Sequence, residues 1–480
     1  MQDYATFLRL KDCPAYSWRG ESAVVPDEYA SMVLSDSAAF IAESNYSPSP
    51  FCFDYQRDIA KLAIAKRKFA VFADCGLGKT IILLEFAKHV GDRVLIVAPL
   101  MVCRQTVEEA HRWYGDSLPV EYIPAAKLGG WLESGSGVAI TNYEAIRDDL
   151  PACKLNGLIL DESSMLKSHY GAWGTRLIEL GRGVPYKLAL TGTPAPNDRV
   201  EYANHAVFLD RFRTPNEFMA RYFVNKGQTS ERWVIRGHAL KPFYRDMSDW
   251  CVFLSNPATY GWKDNCDTIP PIHVHIDQVP LTPEQRKAVQ DLTGCVIAPS
   301  SGGIGQRGKL AQIAKGVGGI PTHKYSYIRD MVDSWPDEST IIWCRYNPEQ
   351  ESVEQVFGDR AVSISGGTPL SLREQYIDDF KLGRVKVLIS KPKILGFGLN
   401  LQVATRQVFS GLQDSYEEFY QAVKRSNRIG STRPLNVHIP VTEIEEPMVA
   451  TVLEKASRVQ ADTEEQESLF RESSIKTEVR

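Results

Sequence analysis

Apolar residues along this chain gather into short β-branched runs separated by helix-like stretches. In the first part the runs are FAVFA (69–73), VLIVAP (94–99), GVAITN (137–142), GLILDE (157–162) and KLALTG (187–192), each followed by turn residues. The pattern lapses after 198 and resumes near 320 with TIIWC, AVSIS, VKVLIS, QVFSG and NVHIPV. Buried runs with helical spacers predict parallel sheets with crossover helices, so the expected fold class is α/β with two parallel-sheet domains of roughly 150–200 residues each.

The expected boundaries follow from that pattern. Residues 1–50 form an accessory segment ending in NYSPSP, a Ser/Pro cluster that reads as a linker. The first lobe spans 51–198 and the second 321–442. Between them, 199–320 reads as a mostly helical insertion and linker, with SSGGIGQRGK as a flexible stretch. In 443–480, Met448, Val452, Leu453, Ala456 and Val459 recur near helical spacing, and the acidic, polar end beyond Asp462 reads as disordered.

Composition narrows the class. The chain has 480 residues, 43% hydrophobic and 24% charged, as in ordinary soluble domains. No run approaches the ~18 apolar residues of a membrane span, and the N-terminus lacks the basic and apolar blocks of a signal peptide. Nine cysteines occur without a C-x-x-C pair, so neither a zinc site nor a disulfide framework is indicated, and a reducing cytoplasm is the expected location. The net charge is −4, but the acid is concentrated at the ends: residues 51–442 hold 47 basic against 42 acidic side chains. A mildly basic body is compatible with a polyanionic partner.

Candidate chemistry begins with ADCGLGKT (73–80), between an apolar run and a helical one. Glycines that allow curled backbone, a lysine and a hydroxyl at a helix start are the parts of a phosphate-binding loop: Gly76 and Gly78 for the backbone, Lys79 for phosphate charge, Thr80 for Mg²⁺. The common pattern has a glycine where Ala73 stands, so a tight strand-to-helix turn with a solvent-facing lysine is the alternative. Asp161 and Glu162 end another buried run, next to the first strand if the sheet is doubly wound, where one carboxylate could hold Mg²⁺ and its neighbour polarise water, or both could cap a helix. Thr191 and Thr193 end a third run and could sense that pair, or form an ordinary turn.

Taken in order, these motifs resemble superfamily-two helicases, specifically Swi/Snf-type translocases, whose own first motif is A-x-x-G-x-G-K-T. PFCFDYQRDIA resembles the adenine-reading segment and implies a nucleotide contact for Gln56. VLIVAPLMV and ITNYE resemble first-lobe nucleic-acid motifs, implying contacts by Pro99 and Thr141. LTGTPAPN, with Asn197 at its usual place, resembles the coupling motif. SISGGTPLSLREQYIDDFKLG, VKVLISKPKILGFGLNLQVA and QAVKRSNRIGS resemble the second-lobe motifs. The resemblance covers about 51–460 and is greatest to compact versions carried by bacteriophages and prophages. It implies two RecA-like lobes, ATP and Mg²⁺ as cofactors, and an ATPase that moves along double-stranded DNA. An RNA or single-strand helicase, or a nucleotide-switched binding module, is the alternative.

Arg425 and Arg428, spaced i, i+3 on an expected helix with Gln421 one turn earlier, would be arginine fingers and a nucleotide contact; a solvated basic helix face is the bland alternative. Residues 373–442 hold 11 Lys/Arg against 6 Asp/Glu, with Lys391, Lys393 and Asn400 as expected nucleic-acid contacts. The insertion's aromatics, recurring at i, i+4, are expected to be mostly core. Ser164, Asn427 and Ser431 depart from the family's motifs at positions tied to coupling between lobes. A separate nuclease, or a phage replication or recombination protein, is an expected partner; a membrane is not.

Overall fold

The computed structural model describes residues 10, 13, 15–19, 22–26, 29, 33, 46–166, 172–195, 198–227, 233–263, 269–294, 304–395, 399–411, 416–428 and 430–473. Two compact units emerge, Met1–Asp264 with Asp462–Arg480, and Asn265–Ala461.

In the first unit the expected runs become strands β1 (Lys68–Ala73), β2 (Val94–Ala98), β4 (Val138–Asn142), β5 (Gly157–Asp161) and β6 (Tyr186–Thr191), joined by β3 (Val120–Tyr122) and β7 (Cys251–Leu254). All pair in parallel, in the order β7-β1-β6-β5-β2-β4-β3. Residues 94–98, 138–142 and 157–161 are buried throughout, as strands covered on both faces must be. Helix α1 (Asp54–Lys66) precedes β1, and α2 (Lys79–Val90) and α3 (Leu100–Tyr114) follow β1 and β2.

Two expectations need correcting here. Asp161 was expected next to the first strand, but β6 lies between β1 and β5. The segment 199–320 was expected to lie outside the lobes, yet β7 within it pairs with β1, register Val252 to Val71, and the break between units falls at Asp264–Asn265. The insertion proper carries α4 (Tyr202–Phe208), α5 (Pro215–Tyr222) and α6 (Leu240–Met247). Its aromatics are core, as expected: Phe208, Phe212, Phe218, Tyr222, Phe223, Phe243 and Tyr244 are all buried. Tyr222 and Phe243 meet edge-to-face with ring centroids 5.2 Å apart.

The second unit is a six-stranded parallel sheet of β8 (Ile272–Gln278), β9 (Thr340–Trp343), β10 (Ala361–Ser363), β11 (Val387–Ser390), β12 (Arg406–Phe409) and β13 (Leu435–Val441), ordered β8-β13-β12-β9-β11-β10. Helix α7 (Tyr416–Val423) follows β12. A buried charge cluster closes one end: Lys315 Nζ lies 3.2 Å from Glu445 Oε1, and Lys324 pairs with its other oxygen.

The C-terminal helix α8 runs Glu446–Ser473, past the expected start of disorder. Glu467 explains part of the difference, since its buried carboxylate accepts a hydrogen bond from Ser255 N at 2.5 Å. The glycine stretch is partly outside the described residues, and its remainder begins the helix Ile304–Ala314. The expected linker is held as well: Tyr46 and Ser49 are hydrogen bonded to Glu85 on α2.

Candidate active site

β1 ends at Ala73 and α2 begins at Lys79, so the loop between them sits at the C-terminal edge of the sheet. Gly76 (φ 91°) and Gly78 (φ 65°) take left-handed conformations there. At Gly78 the left-handed backbone would strain any side chain, and a Cβ would displace the amide end of Gln56, 2.3 Å away. Ala73 has no such demand: its φ is not positive, it is buried, and its carbonyl accepts from Lys79 Nζ at 2.9 Å. Lys79 also reaches the Asp74 carbonyl at 3.2 Å. Tyr55 Oη and Gln56 Nε2, both from α1, donate to the Leu77 carbonyl at 2.9 and 3.3 Å.

The acid pair faces this loop from β5. Asp161 and Glu162 are each 6% exposed. Burial, reinforced by the neighbouring Glu162 charge and opposed by Lys79, pushes the Asp161 carboxyl up to about 7. Glu162 has φ 54°, a left-handed conformation that costs a non-glycine residue on the order of 1–3 kcal/mol and persists only where surroundings hold it. Those surroundings are explicit. Glu162 N donates to Asp161 Oδ1 at 3.0 Å, and Tyr143 Oη from the end of β4 donates to the Asp161 carbonyl at 2.7 Å. Thr191 Oγ1 approaches Glu162 Oε2 at 3.4 Å and accepts from Thr193 N at 3.1 Å.

The intervening strand therefore has a use: β6 and the turn after it deliver Thr191 and Thr193 between the loop and the acids. Among the described residues no cluster of three or more His, Cys, Asp or Glu side chains is arranged to hold a metal alone. A buried carboxylate with a crowded negative neighbour and a hydroxyl at a helix start instead suits Mg²⁺, which needs few protein oxygens when phosphates supply the rest.

Other candidates have different surroundings. Pro99 caps α3 and is half-buried. Thr141 is wholly buried, its hydroxyl spent on the Ile123 carbonyl at 2.7 Å, so its side chain is not a surface group. Asn197 lies outside the described residues. In the second unit, α7 ends at Val423, so Arg425 and Arg428 stand in turns and not on the expected helix. Arg425 Nε folds back to the Gln421 carbonyl at 3.1 Å, and the Arg425 carbonyl accepts from Leu401 N at 3.0 Å. Gln421 and Arg425 are buried, and Arg428 is half-buried. Lys391 pairs with Asn347, Lys393 lies 3.7 Å from Glu418, and Asn400 is exposed.

Sequence reasoning missed Tyr55, His205 and Glu85. Glu85 had a legible signal, a lone carboxylate in the apolar run IILLEFA; the partners of the other two are distant in sequence.

Comparison with known proteins identifies the family. The SNF2-related domain matches residues 63–314, and the helicase conserved C-terminal domain matches 323–430. The mouse protein named DNA annealing helicase and endonuclease ZRANB3 is 24% identical over 418 residues, covering 80% of this chain and 38% of its own. The Bacillus subtilis protein named putative ATP-dependent helicase/translocase YwqA is 23% identical, covering 77% and 43%. Putative protein p41 of Acyrthosiphon pisum secondary endosymbiont phage 1 is 24% identical, covering 82% and 92%. This chain thus spans less than half the length of its mouse and Bacillus relatives. With over half its residues matched by the first domain, the chain belongs to the SNF2-related family.

Proposed function

We propose that this chain is an ATP-dependent motor that couples ATP hydrolysis to movement along double-stranded DNA. The observation that carries the reading is the convergence of the Lys79–Thr80 loop, the Asp161–Glu162 pair and Thr191 at one edge of a single parallel sheet, in a chain of the SNF2-related family. Lys79 neutralises phosphate charge, and the loop's backbone N–H groups cradle the phosphates. Thr80 and Asp161 would hold Mg²⁺, which when bound offsets phosphate charge. Glu162 polarises the attacking water, and Thr191 orients Glu162. Arg425 and Arg428 would supply fixed positive charge as fingers, with Gln421 and Gln56 as nucleotide contacts.

Duplex DNA as the track is supported by the family and by relatives named as DNA helicases or translocases. Lys391, Lys393 and Asn400 are the proposed nucleic-acid contacts of the second lobe, and the backbone near Pro99 and Thr141 those of the first. No described helix is long and apolar enough to cross a membrane. The cytoplasm, that of the host if the chain is phage-encoded, is the proposed location. A nuclease or a phage replication or recombination protein is the proposed partner.

Steady-state ATPase assays without nucleic acid and with duplex DNA, single-stranded DNA or RNA test the reading. Duplex DNA should stimulate turnover most, and Lys79→Ala should reduce it by about 100-fold or more. Stimulation by RNA or single strands instead would overturn the track while keeping the ATPase. ATP binding without turnover would replace the motor by a nucleotide switch.

A further inference from the structure

Helix α4 opens the insertion, and two consecutive residues on it reach the turn that carries the acid pair. His205 Nε2 lies 3.0 Å from Ser163 Oγ, and Asn204 Nδ2 donates to the Leu166 carbonyl at 2.7 Å. Ser163, Asn204 and His205 are all buried. The same imidazole meets Phe72 edge-on, with ring centroids 5.3 Å apart. Phe72 is the penultimate residue of β1, directly before the phosphate loop. One side chain of the insertion therefore touches both the strand that leads into that loop and the residue following Glu162.

Packing alone does not call for this pair. Two polar groups sealed from water gain little over an apolar pair of similar shape, and leaving either one unmatched is costly. Burial pushes the His205 imidazole down to about 4, so it is neutral at working pH and the bond joins two uncharged groups. What the bond adds is direction. The residue before Ser163 is held in a left-handed conformation (φ 54°), and the contacts that hold it from the sheet act on Asp161 and on the Glu162 side chain. The contact on the following residue comes from α4.

We infer that His205 is a positioning residue for Glu162: its hydrogen bond to Ser163 ties the first helix of the insertion to the turn that aims the carboxylate. This rests on the proposed role of Glu162 in polarising water. Strain or movement in the insertion then changes turnover without first changing ATP binding.

The test compares wild type, Ser163→Ala, His205→Phe, His205→Gln and the Ser163→Ala/His205→Phe double variant. Duplex-stimulated kcat, KM for ATP and melting temperature are read for each. Ser163→Ala removes a single oxygen, so the test does not depend on the larger histidine change folding well. The expected result is a kcat about tenfold lower in Ser163→Ala and His205→Phe, with KM within about twofold. The double variant should be no slower than the worse single one, and His205→Gln, which keeps a hydrogen-bonding group, should recover much of the loss. An active wild type with an unaltered Ser163→Ala variant overturns the inference alone, as do losses that multiply in the double variant or a fall in kcat that follows melting temperature. A wild type that binds ATP without hydrolysing it overturns the proposed function and this inference together.

Discussion

Asp161 and Glu162 put two carboxylates side by side out of water, next to a lysine committed to its own loop. The folded protein holds the Asp161 proton up to about pH 7, whereas an ordinary aspartate releases it near 3.8. The unfolded chain thus loses the proton first, and this group's contribution to stability declines as pH rises from about 4 to 7. Asp161→Asn should remove that dependence. In metal-free buffer its melting temperature should exceed wild type at pH 8, with a smaller difference at pH 5, and its ATPase should be lost. Equal melting curves at both pH values would contradict the account. At this scale the sequence was most informative where one segment holds all the parts, as in 73–80. It was silent where partners are far apart: nothing local links Ser163 to His205, 42 residues on, or Tyr143 to the Asp161 carbonyl.

Helix α2 carries the phosphate loop at its start and, one and a half turns on, Glu85. That carboxylate accepts from Tyr46 Oη at 2.7 Å, Ser49 Oγ at 2.5 Å, Ser49 N at 3.2 Å and Tyr114 Oη at 2.8 Å. Burial pushes its carboxyl up, but the hydrogen bonds from Ser49, Tyr46 and Tyr114 outweigh it and hold the group below its ordinary 4.5. The stabilisation is present above that value and is lost as pH falls through the folded one. Glu85→Gln should cost about 1.5–3 kcal/mol, the worth of a hydrogen bond to a charged group, and should speed hydrogen exchange at 46–49 more than in the sheet. Uniform exchange in the variant would show that the segment is not held there. Element recognition followed burial. Strands buried on both faces were legible as runs; VEY (120–122) and IHVHIDQ (272–278) were not, because they lie at sheet edges and are largely exposed. CVFL (251–254) was missed because it returns to the sheet only after the insertion. The helix expected at Arg425 failed because a backbone bond to Leu401 and a side-chain bond to the Gln421 carbonyl end it, and periodicity does not register them.

Across the whole molecule, each unit has its own sheet and core, and the second also encloses Lys315, Lys324 and Glu445, all fully buried. Burial alone would raise the Glu445 carboxyl, but the two lysines hold it below its ordinary value. Glu445→Ala leaves two buried ammonium groups without their counter-ion, which should cost about 3–5 kcal/mol. The second unit should then melt in an earlier, separate calorimetric transition, and a single unshifted transition would contradict that. ATP turnover alone does not establish a motor, so the most direct measurement is displacement of a third strand from duplex DNA. With ATP and Mg²⁺, the wild-type chain should release the triplex-forming strand, and Lys79→Ala should not. Duplex-stimulated hydrolysis without any release would contradict movement along the duplex.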